Sequence, residues 1–552
     1  MTRLRHRSGP TARTTAGPIR GTTSSDGRIA HFRAIPYAAP PVGDLRWRPP
    51  QPPEAWTDER HCTKFGPYAH QRNFVFEQFF DLIIAGLGLG PVRRRALTAA
   101  TKLARVKESE DCLTLNVSAP RHATGLPVMV WIHGGDHTDG SGSDPLYRSE
   151  VFPERGAVLV TINYRLGLFG FLAHPELSAE SDDGVSGNYG LLDQIAALEW
   201  VRDNIEQFGG DPGRVTVFGE SAGGEAVLNL MTSPRARGLF HRAIAQSPSD
   251  SGRWLHLDRP MLDFEPALRT GERFAELAAG SGASIADLRE MDAAELSELY
   301  TGHPELGRSF YPVVDGAILP VTPMTAFSRG EQAPVPLVIG YNADEGTPLA
   351  PFMHPAGAEF QAPAGGDEVP PDEIRAAFER SYPSPEHVDR LFAAYPGLGL
   401  GDLEARIDHC GDHMFGVHVD HASRCHHAHD HPVYRYHFRA EPASPDQTIG
   451  AFHAADVFYV FDTSLPLVPT PDDAHLLVRD MGDRWFAFAA TGVPDSPGRS
   501  PWPVYDPEAP RQMIFDRPTS DVGPCPSEDG LDLMRERIAW LDERSVSPAA
   551  AR

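Results

Sequence analysis

Lysine is nearly absent. Lys64, Lys102 and Lys107 are the only three among 50 basic residues in a chain of 552. With 51 Gly and 52 Pro, that bias reads as a GC-rich, bacterial coding sequence and carries no chemistry of its own. Cysteine is scarce too. Cys62, Cys112, Cys410, Cys425 and Cys525 are odd in number, widely spaced and contain no C-x-x-C, which argues against a disulfide framework or a thiolate zinc site. No apolar run reaches about 18 residues, so no membrane-spanning helix and no stable membrane association are expected. Met1 to Arg20 holds basic residues but no apolar stretch, so no signal peptide is expected and the default compartment is the cytoplasm. Positive charge is outnumbered, 50 residues against 75 acidic ones, for a formal net charge of −25. A chain this acidic is a poor holder of phosphate backbones, so nucleic acid is not an expected partner, and the plain meaning of the charge is solubility. Gly and Pro follow no fixed period, which excludes a collagen-like chain, and no internal repeat is found.

What is present is a large apolar fraction, 41%, enough for a substantial core. At roughly 100–200 residues per domain the length alone suggests three domains. The pattern argues for one. Residues 1–18 read as a disordered arm, 19–545 as a single domain and 546–552 as a disordered tail. The stretch Ile35 to Trp56 is dense in Pro and must be extended or turning. Short apolar runs follow at Pro127–His133, Ala157–Asn163, Val215–Gly219 and Pro336–Gly340, bounded by Gly or Pro, and they read as strands buried on both faces of a parallel sheet. Between them Leu191, Ile195, Leu198 and Ile205 keep a helical face that Gly209-Gly210-Asp211-Pro212 ends. Strands alternating with helices predict an α/β fold. Residues 351–372 and 493–510 read as Pro-rich loops.

The sharpest motif is Gly219-Glu220-Ser221-Ala222-Gly223, after the strand at Val215 and before the helical run Ala226–Met231. This is the context the G-x-S-x-G elbow requires. The Ser must sit on a tight strand-to-helix turn so that its hydroxyl projects above the sheet. Side chains two positions away on either side would collide, hence the glycines. A helix N-terminus behind the Ser favours negative charge in front of it. A chance G-x-S-x-G in a Gly-rich chain is the plain alternative, and the flanking elements argue against it. A hydroxyl nucleophile needs a base, and the base an orienting acid, in the chain order Ser, Asp or Glu, His.

Gly190-Leu-Leu-Asp-Gln194, Phe208-Gly-Gly-Asp-Pro212 and Gly219-Glu-Ser-Ala-Gly-Gly224, in this order, resemble the type B carboxylesterases, the family that includes the cholinesterases. The resemblance extends from Ile35-Pro-Tyr-Ala38 and Pro41-Val-Gly43 through Glu110-Asp-Cys-Leu113, Asn163-Tyr-Arg165, Gly238–Ile244 and Pro312-Val-Val-Asp-Gly316 to Trp485, Phe488 and Trp502-Pro503. It implies an α/β-hydrolase fold, with a large, mostly parallel sheet and long insertions around an active-site gorge. It implies a serine esterase that uses no cofactor and no metal. Within Gly340-Tyr-Asn-Ala-Asp-Glu-Gly346 it favours Glu345 as the acid over its neighbour Asp344. In Ala451-Phe-His453 it singles out His453 as the base among 24 His. Glu220 and Ser247 are expected to support the site, Ser247 in a segment, Gln246-Ser247-Pro248, where the family usually has Gly after the Ser.

His133-Gly134-Gly135-Asp136 resembles the family's triple-glycine turn, so backbone N–H groups around Gly134, Gly135, Asp136 and Ala222 are expected to form the oxyanion hole. The third glycine is Asp136 here. A backbone with φ > 0 strains any non-Gly residue, Asp less than most. A carboxylate about 4 Å from the oxyanion would repel it by about 4 kcal/mol at an effective dielectric of 20. That rivals the roughly 3–4 kcal/mol lost with one oxyanion donor. Three readings stand: Asp136 turns away or pairs with His133, His137 or an Arg and ordinary hydrolysis survives; activity is weak; or Asp136 positions water against an unusual acyl or phosphoryl intermediate.

The His-crowded segment 409–437, with Cys425-His-His-Ala-His-Asp-His431, offers metal ligands but also reads as a surface helix end and loop, and no functional metal is expected. Cys112 stands where the family often has a disulfide cysteine. Its partner is expected near Ala69, where no Cys stands, and a bridge to Cys62 is not expected. The apolar residues at 74–84 read as a gorge lid or a loop packed on the core rather than a membrane contact. The whole implies hydrolysis of uncharged or weakly polar small-molecule esters by a monomer or homodimer. The alternatives are a non-catalytic or weakly active esterase-like binding protein, and amide or carbamate cleavage on the same triad.

Overall fold

The structure is a computed structural model. It describes residues 9–71, 74–103, 107–249, 255–262, 264–303, 306, 309–352, 369–464, 467–526 and 529–546. Among them sixteen strands run in chain order: β1 (Thr11–Arg13), β2 (Pro18–Arg20), β3 (Thr22–Thr23), β4 (Ile29–Pro36), β5 (Arg60–His61), β6 (Thr114–Pro120), β7 (Leu126–Ile132), β8 (Val158–Ile162), β9 (Gly210–Glu220), β10 (Arg242–Gln246), β11 (Leu255–His256), β12 (Val313–Val314), β13 (Leu337–Asn342), β14 (Val433–Phe438), β15 (Arg511–Phe515) and β16 (Ser520–Pro524). Eleven form one sheet in the order β16-β15-β14-β13-β10-β9-β7-β8-β6-β4-β3. The centre, from β8 through β7, β9, β10, β13 and β14 to β15, is parallel, and antiparallel strands close both edges. This is the α/β-hydrolase arrangement.

The parallel centre follows from the sequence. Helices cover both faces, so β8 is buried at every position and β7 from its second residue on. Alternation along β7 splits the core: Val128, Val130 and Ile132 face one side with Val160, Val217 and Ile339, while Met129 and Trp131 face the other with Phe218, Phe461 and Trp485. The helix Tyr189–Asn204 ends in a 3-10 turn over Ile205–Phe208, and Gly209, at φ 86°, closes it.

Three expectations change. Residues 11–13 are not part of a disordered arm: β1 pairs with β2, Ala12 opposite Ile19, while residues 1–8 lie outside the described residues. Residues 74–84 are not a loop but part of the helix Phe74–Gly86, with Ile83 and Ile84 buried. The Pro-rich loop at 351–372 lies largely outside the described residues, and Pro371 opens the helix Pro371–Ser381. The tail 547–552 also lies outside them, after the helix Asp529–Val546. Among the described residues no helix is long and apolar enough to cross a membrane.

Candidate active site

The end of β9 and the start of the helix Ala222–Thr232 meet at Ser221, whose backbone stands at φ 58° and ψ −126°. Such a conformation survives only where neighbours enforce it. The Ser221 N–H donates to Gln246 O at 3.0 Å, and both flanking glycines are pressed against other backbone. A Cβ on Gly223 would lie 2.2 Å from Ile132 O, and one on Gly219 would lie 2.5 Å from Gly223 O. The crowding expected of the motif is thus located: β7 and the helix leave no room beside the elbow.

His453 Nε2 lies 2.9 Å from Ser221 Oγ, and its Nδ1 lies 2.5 Å from Glu345 Oε2. The three residues come from three distant segments, and the structure brings them together. Glu345 is 1% exposed; its Oε1 accepts from Ser247 Oγ at 2.6 Å and from the Asn342 N–H at 2.7 Å. Ser247 thus bonds Glu345 directly. Asp344, the rival acid, points elsewhere: its Oδ2 accepts from the Ala451 N–H at 2.7 Å and so tethers the segment that carries His453. The Asn342 side chain tethers it again through Phe452 O at 2.8 Å.

Electrostatics converge on His453. Glu220 Oε1 approaches Nε2 to 3.3 Å without forming a hydrogen bond. Burial pushes the Glu220 carboxyl up to about 8, against the pull of His453. Burial would lower His453, but Glu220 and Glu345 outweigh it and hold the imidazole up at about 9. Phe415 lies over the ring, centroids 4.6 Å apart and planes 29° from parallel, and Phe79 meets it edge-on at 6.0 Å. Phe415 sits in a π-helical turn, Asp412–Gly416.

Sequence reading missed the buried network behind this site. Asp456 is fully buried and accepts from Gln246 Nε2 at 2.7 Å and Tyr436 Oη at 2.9 Å; Trp485 Nε1 donates to Gln246 Oε1 at 3.2 Å. A lone carboxylate ahead of the apolar run Val457–Phe461 was the available signal.

The turn after β7 stands against the elbow, since a Cβ on Gly134 would lie 3.1 Å from Ser221 Cβ. Gly135, Asp136 and His137 all have positive φ, at 105°, 55° and 54°. Tyr164 supports the turn, its ring stacked 4.5 Å from His133 and its hydroxyl 2.9 Å from His133 O. Asp136 Oδ2 accepts from Tyr311 Oη at 2.6 Å, a partner the sequence did not suggest. The two His expected as partners are engaged otherwise: His133 Nδ1 lies 2.8 Å from Gly134 O, and His137 Nε2 lies 3.4 Å from Glu225 Oε1.

The carboxylesterase family model matches residues 8–530. The chain belongs to the carboxylesterase family. It is 36% identical to the fumonisin B1 esterase of Sphingopyxis macrogoltabida over 516 residues, 89% of this chain and 84% of that protein. It is 34% identical to the para-nitrobenzyl esterase of Bacillus subtilis over 515 residues, 91% of this chain and 93% of that one. A solved PNB esterase structure superposes with a TM-score of 0.77 at 30% identity, covering 96% of this chain and 100% of that one. This carboxylesterase is a carboxylic ester hydrolase with the α/β-hydrolase fold.

The His-rich segment of this carboxylesterase divides: the helix Val417–Ala428 ends at the surface, with Ala428, His429 and Asp430 exposed, while five other His lie inside. His409, His413, His418, His426 and His437 are all buried, on helices packed under the sheet and on β14. Among the described residues no group of three His, Cys, Asp or Glu is placed to hold a metal ion. Cys62 and Cys112 are buried free thiols, and none of the five cysteines is bridged to another.

Proposed function

We propose that Ser221, His453 and Glu345 are the catalytic triad and that the enzyme hydrolyses esters through an acyl-enzyme. The continuous chain from Ser221 Oγ to His453 at 2.9 Å and on to Glu345 at 2.5 Å carries this reading. His453 Nε2 takes the Ser221 proton as Oγ attacks the ester carbonyl carbon. The carbonyl oxygen becomes an oxyanion facing N–H groups of Gly134, Gly135, Asp136 and Ala222; the first N–H groups of a helix have no partner inside it. The tetrahedral adduct collapses, and His453 returns the proton to the departing alkoxide. Water, deprotonated by the same imidazole, attacks the acyl carbon, and the carboxylic acid leaves with Ser221 restored. Glu345 fixes the tautomer with Nδ1–H and stabilises the imidazolium. Ser247 fixes Glu345 in turn, and Glu220 adds negative charge beside Nε2 once it ionises.

Uncharged or weakly polar esters are the proposed substrates. One catalytic domain over 19–545 is supported by the single sheet that draws strands from Thr22 to Pro524. Free thiols at all five Cys fit a reducing, cytoplasmic setting. Matched ester and amide panels on the wild type and on Ser221→Ala test the proposal. Ester turnover that falls by roughly 10⁴-fold or more in Ser221→Ala is expected. Ester turnover that survives, or amides cleaved faster than matched esters, would contradict it.

A further inference from the structure

The turn that faces the nucleophile carries a charge in a backbone conformation suited to glycine, with Asp136 at φ 55°. Both ends of its bond to Tyr311 are anchored. On the Asp136 side, the Gly167 N–H donates to His137 O at 2.7 Å, and the His137 ring meets Phe171 at 5.5 Å. On the other side, Tyr311 is 7% exposed and its ring meets His137 edge-on at 6.1 Å. Two residues on, Val313 exchanges hydrogen bonds with the Asn188 side chain at 2.7 and 2.9 Å and pairs with Leu255 between β11 and β12. An O–H···O⁻ bond of 2.6 Å is of the short, charge-assisted kind: it fixes the direction of the carboxylate and takes up part of its charge.

We propose that Tyr311 is a positioning residue of this esterase: its hydroxyl holds the Asp136 carboxylate so that the charge does not oppose the oxyanion formed next to Ser221. The proposal rests on Ser221 being the nucleophile. Tyr311 acts through Asp136 and has no role of its own toward the ester.

A double-mutant cycle on the full chain tests it, with wild type, Tyr311→Phe, Asp136→Gly and the pair. The readouts are kcat and KM on p-nitrophenyl acetate and Ki for a trifluoromethyl ketone, whose adduct with Ser221 carries an oxyanion. Active sites are counted with a fluorophosphonate, so rates refer to folded enzyme even where a variant is less stable. Tyr311→Phe is expected to lower kcat about 10-fold and to weaken the ketone by a similar factor, with KM changed less than about twofold. In the Asp136→Gly background the same substitution changes both readouts by less than about twofold. Asp136→Asn, which removes the charge, restores most of the loss in Tyr311→Phe. Equal losses in both backgrounds, no loss in the wild-type background, or no rescue by Asp136→Asn would overturn the proposal. Wild-type turnover that does not depend on Ser221 would overturn the triad reading instead.

Discussion

At Ser221 the backbone is held at φ 58° and ψ −126° by contacts that a single methyl group on either neighbouring glycine would break. Gly223→Ala is therefore expected to destabilise the elbow and to lower kcat by at least about 10-fold, because a 1 Å displacement of a nucleophile is worth about that or more; unchanged kcat in a folded Gly223→Ala protein would show that the elbow tolerates movement. Asp136 stands in the turn that resembles the family's triple glycine, in place of the third. Removing its charge and its positive φ strain together, Asp136→Gly raises kcat on short-chain aryl esters, by less than about tenfold since Tyr311 already takes up part of the charge. An unchanged or lower kcat sinks the repulsion argument. Glu220 gives a pH prediction. A carboxylate 3.3 Å from Nε2 favours the imidazolium, so the free base appears only at higher pH. The acid limb of kcat/KM should lie above the ordinary His value, and Glu220→Gln should move it to lower pH. A limb that stays or moves up contradicts that assignment.

Elements place these residues, and here some of the structure could be read in advance and some could not. The strands β7, β8, β9 and β13 announce themselves as apolar runs because both faces are covered. The strand β14 does not, although all six of its residues are buried, because Arg435 and His437 interrupt the run. Arg435 is accommodated by Asp420 at 2.8 Å, a pairing made across the fold and invisible to local pattern. The elbow was legible for the opposite reason, since its requirements are local: a strand end, two glycines and a helix start. His453 was legible only by resemblance, because nothing near it in sequence distinguishes it from 23 other His. The π-helical turn Asp412–Gly416 had no signal, yet it delivers Phe415 onto His453. π-Turns of this kind recur at functional sites. An aromatic face 4.6 Å from the imidazole favours the imidazolium that the proposed mechanism forms on His453. Phe415→Leu should lower kcat by roughly 3–30-fold, with Phe415→Tyr close to wild type; equal losses in both variants would assign the effect to packing alone.

The whole molecule is acidic, but its response to pH is set by buried histidines. Burial lowers His133 and His426 to about 4 and His409 and His437 to about 3. In the unfolded chain these groups bind protons below about 6.5, and in the folded one they do not. Each therefore contributes stability that is complete above that value and lost at about 1.4 kcal/mol per pH unit as pH falls below it. Burial raises Glu220 to about 8 and Asp412 and Asp542 to about 6, and raises Asp193, Asp315, Asp408 and Asp456 too, which acts in the opposite sense over an overlapping range, but these seven are outnumbered by the twelve His that burial lowers among the described residues. The thermal midpoint should fall as pH drops from 6.5 toward 4.5, and a midpoint that rises over that interval contradicts the balance. At this scale one eleven-stranded sheet draws strands from Thr22 to Pro524, and residues 221, 345 and 453 converge beside it. The most direct test of that convergence is labelling of the intact protein with a fluorophosphonate, followed by peptide mass mapping and parallel assay of ester turnover. Modification of Ser221 alone, one label per chain, with activity lost in proportion, is the predicted result; a label on another residue, or turnover that persists once Ser221 is fully modified, would contradict it.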